Sequence, residues 1–183
     1  MRLTTVIALG GALLLTGCDG SSPSGAASPA SSPAPSAALM VTSSAFAAGA
    51  RIPDEYTCRA AGIVPPLSWT GDPRSAAALA VVVHDPDAPN GDYVHWVVYD
   101  LPAGTTSLAA SALPAGAKQA RNSGGTTGWT PPCPPSGIHH YHFVVYALSS
   151  PTGLAAGAAT NAARKAIADR AVASGELVGT VNG

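Results

Sequence analysis

Three apolar runs rich in β-branched residues, 78–83 (ALAVVV), 94–101 (VHWVVYDL) and 138–148 (IHHYHFVVYAL), stand between segments that proline and glycine keep irregular. Runs of this length and composition suit strands buried in a sheet. Residues 84–92 (HDPDAPNGD) join the first two, and their prolines and Asn-Gly pair mark a loop. Residues 116–137 precede the third and hold five glycines and four prolines. Such a stretch is too long for a plain connection, and loops of that length in small domains are commonly functional or disordered. Nearer the C-terminus, 161–173 (NAARKAIADRAVA) predicts a helix, capped by Thr160 or Asn161 and ended by Gly175. Residues 176–181 (ELVGTV) then predict a short last strand. Strands outnumber helices, and neither a βαβ rhythm nor an internal repeat is present. The expected fold is mainly β, an antiparallel β-sandwich with one or two peripheral helices.

The N-terminus carries a different message. Arg2 precedes an apolar stretch over 6–15, the length of a signal-peptide core and too short to cross a bilayer as a helix. It runs into Leu15-Thr16-Gly17-Cys18, which resembles the lipobox of bacterial lipoproteins. Residues 1–17 therefore read as a lipoprotein signal peptide and Cys18 as the lipidated residue. Residues 18–38, dominated by Ser, Pro and Ala, have no apolar periodicity and read as a disordered tether. Residues 39–183 are long enough for one domain with its own core. The expected location is the cell membrane, lipid-anchored and facing outside the cytoplasm.

Nine Lys plus Arg face ten Asp plus Glu, and loss of Arg2 with the signal leaves the chain almost neutral. No basic stripe exists, which argues against nucleic acid as a partner. With Cys18 lipidated, Cys58 and Cys133 remain, and in an oxidising compartment they either pair or stay as two separate buried thiols.

All five histidines, His84, His95, His139, His140 and His142, lie in or beside the strand candidates. Side chains alternate along a strand, so parity can be read directly. Asp85 shares a face with Val83 and Val81, His95 with Val97 and Tyr99, and His139 with Tyr141, Phe143 and Val145. Three polar strand ends meeting at one rim would make a polar pocket on an apolar floor. Taken singly, an aspartate before proline is a turn former and a strand histidine is a satisfied core or edge residue. His140 and His142 alternate away from His139 and read as surface or structural positions.

These residues also carry a resemblance. His84-Asp85-Pro86-Asp87-Ala88-Pro89 followed by His95-Trp96-Val97-Val98 is similar to the first signature of the phosphatidylethanolamine-binding proteins. Pro134-Pro135-Ser136-Gly137-Ile138-His139-His140-Tyr141 resembles their second. Ile52-Pro53, Tyr56-Thr57-Cys58 and Pro65-Pro66-Leu67-Ser68-Trp69 resemble the bacterial branch called Raf-kinase-inhibitor-like, over about residues 40–183. The resemblance implies a β-sandwich whose pocket binds phosphate-like or carboxylate anions. It implies Asp85, His95 and His139 as ligand-binding residues, with Asp87, Pro135 and Tyr141 bordering the pocket. Asp85 would then orient His95 or His139, or raise its pKa. The chain departs from the family at Ala120-Arg121-Asn122-Ser123-Gly124-Gly125, which lacks an acidic and an aromatic residue. It departs again where proline replaces the glycine ahead of Pro132-Cys133-Pro134-Pro135, and at Val94, where eukaryotic relatives often carry histidine.

The function expected is a non-enzymatic binding module for a small anionic ligand or phosphorylated headgroup, with no cofactor. An inhibitor or regulator of an envelope or secreted protein, such as a protease, is the alternative. An enzyme or metal site on the two histidines and carboxylate ranks third, since neither a nucleophile motif nor a recognised metal spacing supports it.

Overall fold

The computed structural model describes residues 39–71, 76–109 and 112–183; the expected signal peptide, Cys18 and the expected tether lie outside the described residues. The apolar runs become the middle of a five-stranded antiparallel sheet in the order β6-β4-β3-β7-β8. Its strands are β3 (Ala78–Asp85), β4 (Tyr93–Pro102), β6 (Lys118–Gln119), β7 (Ile138–Leu148) and β8 (Ala171–Asn182). A second sheet, β1-β2-β5, comprises β1 (Met40–Thr42), β2 (Leu67–Thr70) and β5 (Ser107–Leu108). Among the described residues one α-helix, α1 (Thr160–Ala168), and one 3-10 turn, Asp54–Tyr56, complete the fold.

β3 shows an unbroken apolar run because both of its faces are covered, and seven of its eight residues are buried. On the inner face Val81, Val83, Trp96, Val98, Phe143 and Val145 pack against Val41, Leu67 and Trp69 of the smaller sheet. On the outer face Ala80, Val82, Val97 and Tyr99 pack against Ala163 and Ile167 of α1. A two-faced sheet of this kind buries most of the chain's large apolar side chains, the dominant favourable term in folding.

The C-terminal expectation needs correction. α1 stops at Ala168, and residues 171–173, expected in the helix, open β8 instead. There Ala171 pairs with Leu148 and Ala173 with Ala147. Pairing with a fully formed neighbour outweighs the modest helix preference of alanine. Neither Thr160 nor Asn161 caps α1. Ala159 occupies that position without a side-chain bond, and the Thr160 hydroxyl donates to the Arg121 carbonyl at 2.6 Å.

Gly175 does not end the helix. It lies inside β8 opposite Val145, where the incoming chain crosses and Leu39 N–H donates to the Ser174 carbonyl at 3.1 Å. A Cβ at residue 175 would stand 1.8 Å from the Leu39 carbonyl oxygen. Gly175→Ala is therefore expected to destabilise the fold by about 1–3 kcal/mol or more, since backbone has to move. Urea denaturation measures this, and an unchanged midpoint would contradict the close approach.

Candidate functional site

The C-terminal end of β3 and the N-terminal ends of β4 and β7 come together at one rim of the large sheet, because β4 and β7 both run antiparallel to the β3 between them. Asp85, His95 and His139 converge there, each almost wholly buried. They line a cavity of about 240 Å³ with Tyr93, Tyr141 and Pro135.

Asp85 holds two elements at once. Its Oδ1 accepts the Asp87 N–H at 2.9 Å, the turn-forming role of an aspartate before proline. Its Oδ2 accepts from His139 Nδ1 at 2.7 Å, with both side chains buried. The ring of His139 is thereby fixed, leaving Nε2 as its second polar atom.

His95 reaches the cavity by a different route. Between the pairs Val83↔Trp96 and His84↔Val94, β4 contains one residue more than β3, and that residue is His95. The extra residue is a β-bulge, which re-aims a side chain and resets the alternation. Val97 and Tyr99, expected on the same face as His95, belong instead to the outer core beneath α1. The parity assigned to His95 from sequence is thus corrected. Simple alternation ends at the bulge.

The carbonyl of Thr130 accepts from His95 Nδ1 at 2.8 Å, and Thr130 N–H donates back to the His95 carbonyl at 3.0 Å. A carbonyl only accepts, so Nδ1 carries the hydrogen and Nε2 carries the lone pair of the neutral ring. Burial holds the His95 pKa below its ordinary 6.5, against opposing contributions from the Thr130 bond and the Asp85 charge. Tyr93, Trp129 and Tyr141 surround the ring at centroid distances of 4.8, 6.3 and 5.2 Å. Burial, the Asp85 charge and a hydrogen bond to Asp85 push the Tyr141 hydroxyl well above its usual range, so it stays protonated.

Thr130 is itself placed by Asn122. The Asn122 amide donates to Thr126 Oγ1, the Gly128 carbonyl and Thr130 Oγ1 at 2.8, 3.1 and 2.7 Å, and its carbonyl oxygen accepts from Thr126 N–H at 3.1 Å. One buried amide therefore shapes the loop where the acidic and aromatic residues of the resembled pattern are absent. Farther along, Cys133 is bonded to Cys58, and Cys58 N–H donates to the Pro132 carbonyl at 3.0 Å. Pro131, Pro134 and Pro135 form an apolar wall beside the disulfide. That wall presents no N–H of its own, which leaves polar recognition to the side chains on the floor.

Of the residues expected at the site, Asp85, His95, Pro135, His139 and Tyr141 line the cavity. Asp87 does not. Its carboxylate accepts from the N–H and Nδ1 of His140 at 2.8 and 2.7 Å, outside the lining. Those bonds hold its pKa below the usual carboxylate value against a small burial effect. Val94 faces the outer core. Tyr93 and Thr130 went unrecognised in the sequence. Tyr93 could have been found by extending β4 one residue, since it pairs with Asp85. Thr130 acts through its backbone and leaves no side-chain signal.

Residues 42–182 match the family model described as phosphatidylethanolamine-binding protein. LppC, a candidate lipoprotein of Mycobacterium tuberculosis, is 45% identical over 157 residues, covering 84% of this chain and 78% of that protein. The crystal structure of CT736 from Chlamydia trachomatis, a candidate homologue of the same family, superposes with a TM-score of 0.74 at 38% identity, covering 80% of this chain and 98% of that one. Escherichia coli YbcL, described as a member of the mammalian family, gives 0.75 at 29% identity, over 79% of this chain and 98% of its own.

The buried, neutral His95 has a pH signature. In the folded chain its pKa lies below 6.5, so below that pH the unfolded chain binds a proton at this residue that the folded chain refuses. Stability contributed by neutral His95 is therefore lost as pH falls from about 6.5 through the folded value. Ring 15N chemical shifts are expected to show Nδ1 protonated and Nε2 bare at pH 7, with a midpoint below 6.5. A midpoint at or above that value would contradict the burial argument.

Proposed function

The chain belongs to the phosphatidylethanolamine-binding protein family, and from that premise we propose that it is an exported, lipid-anchored binding protein for a small anionic headgroup. The observation that carries this reading is the pair of anchored imidazoles. His139 is held through Nδ1 by a carboxylate and His95 through Nδ1 by a carbonyl, beside one cavity. Each ring keeps its second nitrogen for a ligand. A protonated ligand oxygen can donate to these nitrogens, or the rings can take up protons and donate to a bare anion. The Tyr141 hydroxyl, engaged with Asp85, adds a neutral polar group beside them.

Size and charge narrow the ligand. About 240 Å³ is below the usual range for drug-sized ligands and suits a phosphate or a phosphorylated headgroup rather than a whole lipid. Asp85 alone would repel an anion, but its charge is taken up by the His139 N–H and the Asp87 N–H. The lining also places no serine or cysteine thiol beside a general base, because Cys133 is in a disulfide. Binding without turnover is the reading this favours. The lipobox at Cys18 and the similarity to a candidate lipoprotein support an anchor at the membrane, outside the cytoplasm.

Isothermal titration with inorganic phosphate and with phosphoethanolamine tests the pocket. Saturable one-site binding is expected, with affinity rising as pH falls from 8 towards 6, because binding favours protons on the imidazoles. His139→Ala is expected to weaken binding by about tenfold or more, as loss of a charge-assisted hydrogen bond does, and Asp87→Ala to leave it nearly unchanged. Binding that survives His139→Ala intact, or no binding at either pH, would overturn the proposal. Separately, Cys18→Ser is expected to move the chain from the membrane fraction to the soluble fraction. A variant that stays with the membrane would refute the lipid anchor.

A further inference from the structure

A second group of polar side chains converges on the outer face of the large sheet, apart from the cavity. His84 on β3 and His142 on β7 are register partners, and their rings lie 5.2 Å apart between centroids at an interplanar angle of 30°. Glu176 on β8 stands diagonally across from His142, opposite Val144. His84 Nδ1 bonds Asp92 Oδ1 at 2.6 Å, and His142 Nδ1 bonds Glu176 Oε1 at 2.7 Å. An ionised carboxylate only accepts, so each Nδ1 carries a hydrogen and the lone pair of each neutral ring falls on Nε2. Neither Nε2 has a hydrogen-bond partner among the described residues. One ligand atom from each of His84, His142 and Glu176 lies within 4.8 Å of the others.

We propose that His84, His142 and Glu176 form a site for a divalent transition ion of the zinc class, bridging β3, β7 and β8. Two imidazoles and one carboxylate suit such an ion, whereas magnesium and calcium favour all-oxygen sets. The three backbones are held by continuous pairing, so the ligands start from fixed positions. Ligand atoms around a tetrahedral ion at about 2.05 Å stand roughly 3.3 Å apart, so separations of no more than 4.8 Å close by at most about 1.5 Å. The Glu176 side chain is 45% exposed and free to turn from its bond with His142 toward the ion. For one ion to meet all three residues, His84 coordinates through Nε2 and His142 through Nδ1; the Nδ1 hydrogen of His142 goes to solvent while its Nε2 takes one up, Glu176 turns its freed oxygen to the ion, and water completes the coordination.

The surrounding shell also fits. Metal-bound histidines commonly donate their other N–H to a carboxylate, as His84 does to Asp92. Arg164 Nη1 holds Asp92 Oδ2 at 2.6 Å in turn. Asp92 and Glu176 outweigh the single Arg164 charge, so a cation enters a net negative neighbourhood.

Zinc chloride titrated into the untagged full chain, in a buffer without phosphate, tests the site, with circular dichroism confirming that each variant is folded. One ion per chain is expected. His142→Ala and, independently, His84→Gln are each expected to weaken binding by about 100-fold or more, and Asp92→Asn by about 10- to 100-fold. His139→Ala is expected to leave it unchanged. Unaltered affinity in both folded histidine variants would overturn the proposal. So would loss of binding in His139→Ala, which would put the ion in the cavity, or no saturable binding to the unmodified chain.

Discussion

Between Trp96 and Val94, β4 holds one residue that β3 does not match, and the geometry of the whole rim follows from it. Without the extra residue, His95 would alternate with its neighbours, and Trp96 could not share the inner face with Val98 while Val94 and Val97 serve the outer one. The bulge lets both cores keep their apolar residues and still turns an imidazole into the cavity. A bulge leaves part of the ladder unpaired, and the backbone around His95 finds its partner in the loop. Thr130 N–H donates to the His95 carbonyl, and the Thr130 carbonyl takes the ring. The irregular loop is thus required by the irregular strand.

That dependence goes with a defined hydrogen-bonded path through a segment with so many glycines and prolines. Asn122 satisfies four polar groups with one side chain. Ser123 exchanges bonds with Val94, accepting its N–H at the hydroxyl and donating its own N–H to the Val94 carbonyl. The Cys58–Cys133 bond fastens the far end of the loop to the segment that follows the 3-10 turn. Closing a loop of 75 residues removes unfolded-state entropy worth roughly 4 kcal/mol in the chain-entropy account. Chain order is therefore supplied by discrete tethers where no ladder is available.

The sequence made the sandwich legible because its strands carry long β-branched runs, and β7 matches its expected bounds of Ile138–Leu148. Asp85 and His139 were legible for the same reason, since alternation from Val83 and from Tyr141 places them on the inner face. His95 was found as a residue but not as a direction, because a bulge has no reliable sequence mark. The helix end was misread because alanine-rich 171–173 is ambiguous locally, and only pairing with β7 decides it. Asp87 looked equivalent to Asp85 in the motif. Two residues further on, however, it has left the strand and meets His140 at the edge.

The five histidines show how one sheet can keep two chemistries apart. His139 and His95 face inward, where the lining is shared with tyrosines and prolines. His84 and His142 face outward, beside Asp92 and Glu176, and His140 stays at the edge with Asp87. In four of these rings Nδ1 meets a carboxylate. His95 is the exception. Its partner is a carbonyl, which fixes the tautomer without contributing a full charge. Asp85 is then the one carboxylate lining the cavity, and it is engaged by His139. An entering anion accordingly meets one ring backed by a carboxylate and one ring left neutral by burial. The first presents an Nε2 fixed in direction, and the second either accepts a hydrogen from the ligand or is protonated against the cost of its burial. The outer pair lacks that asymmetry. With Asp92 behind one ring and Glu176 beside the other, the outer face is better matched to a cation than to an anion.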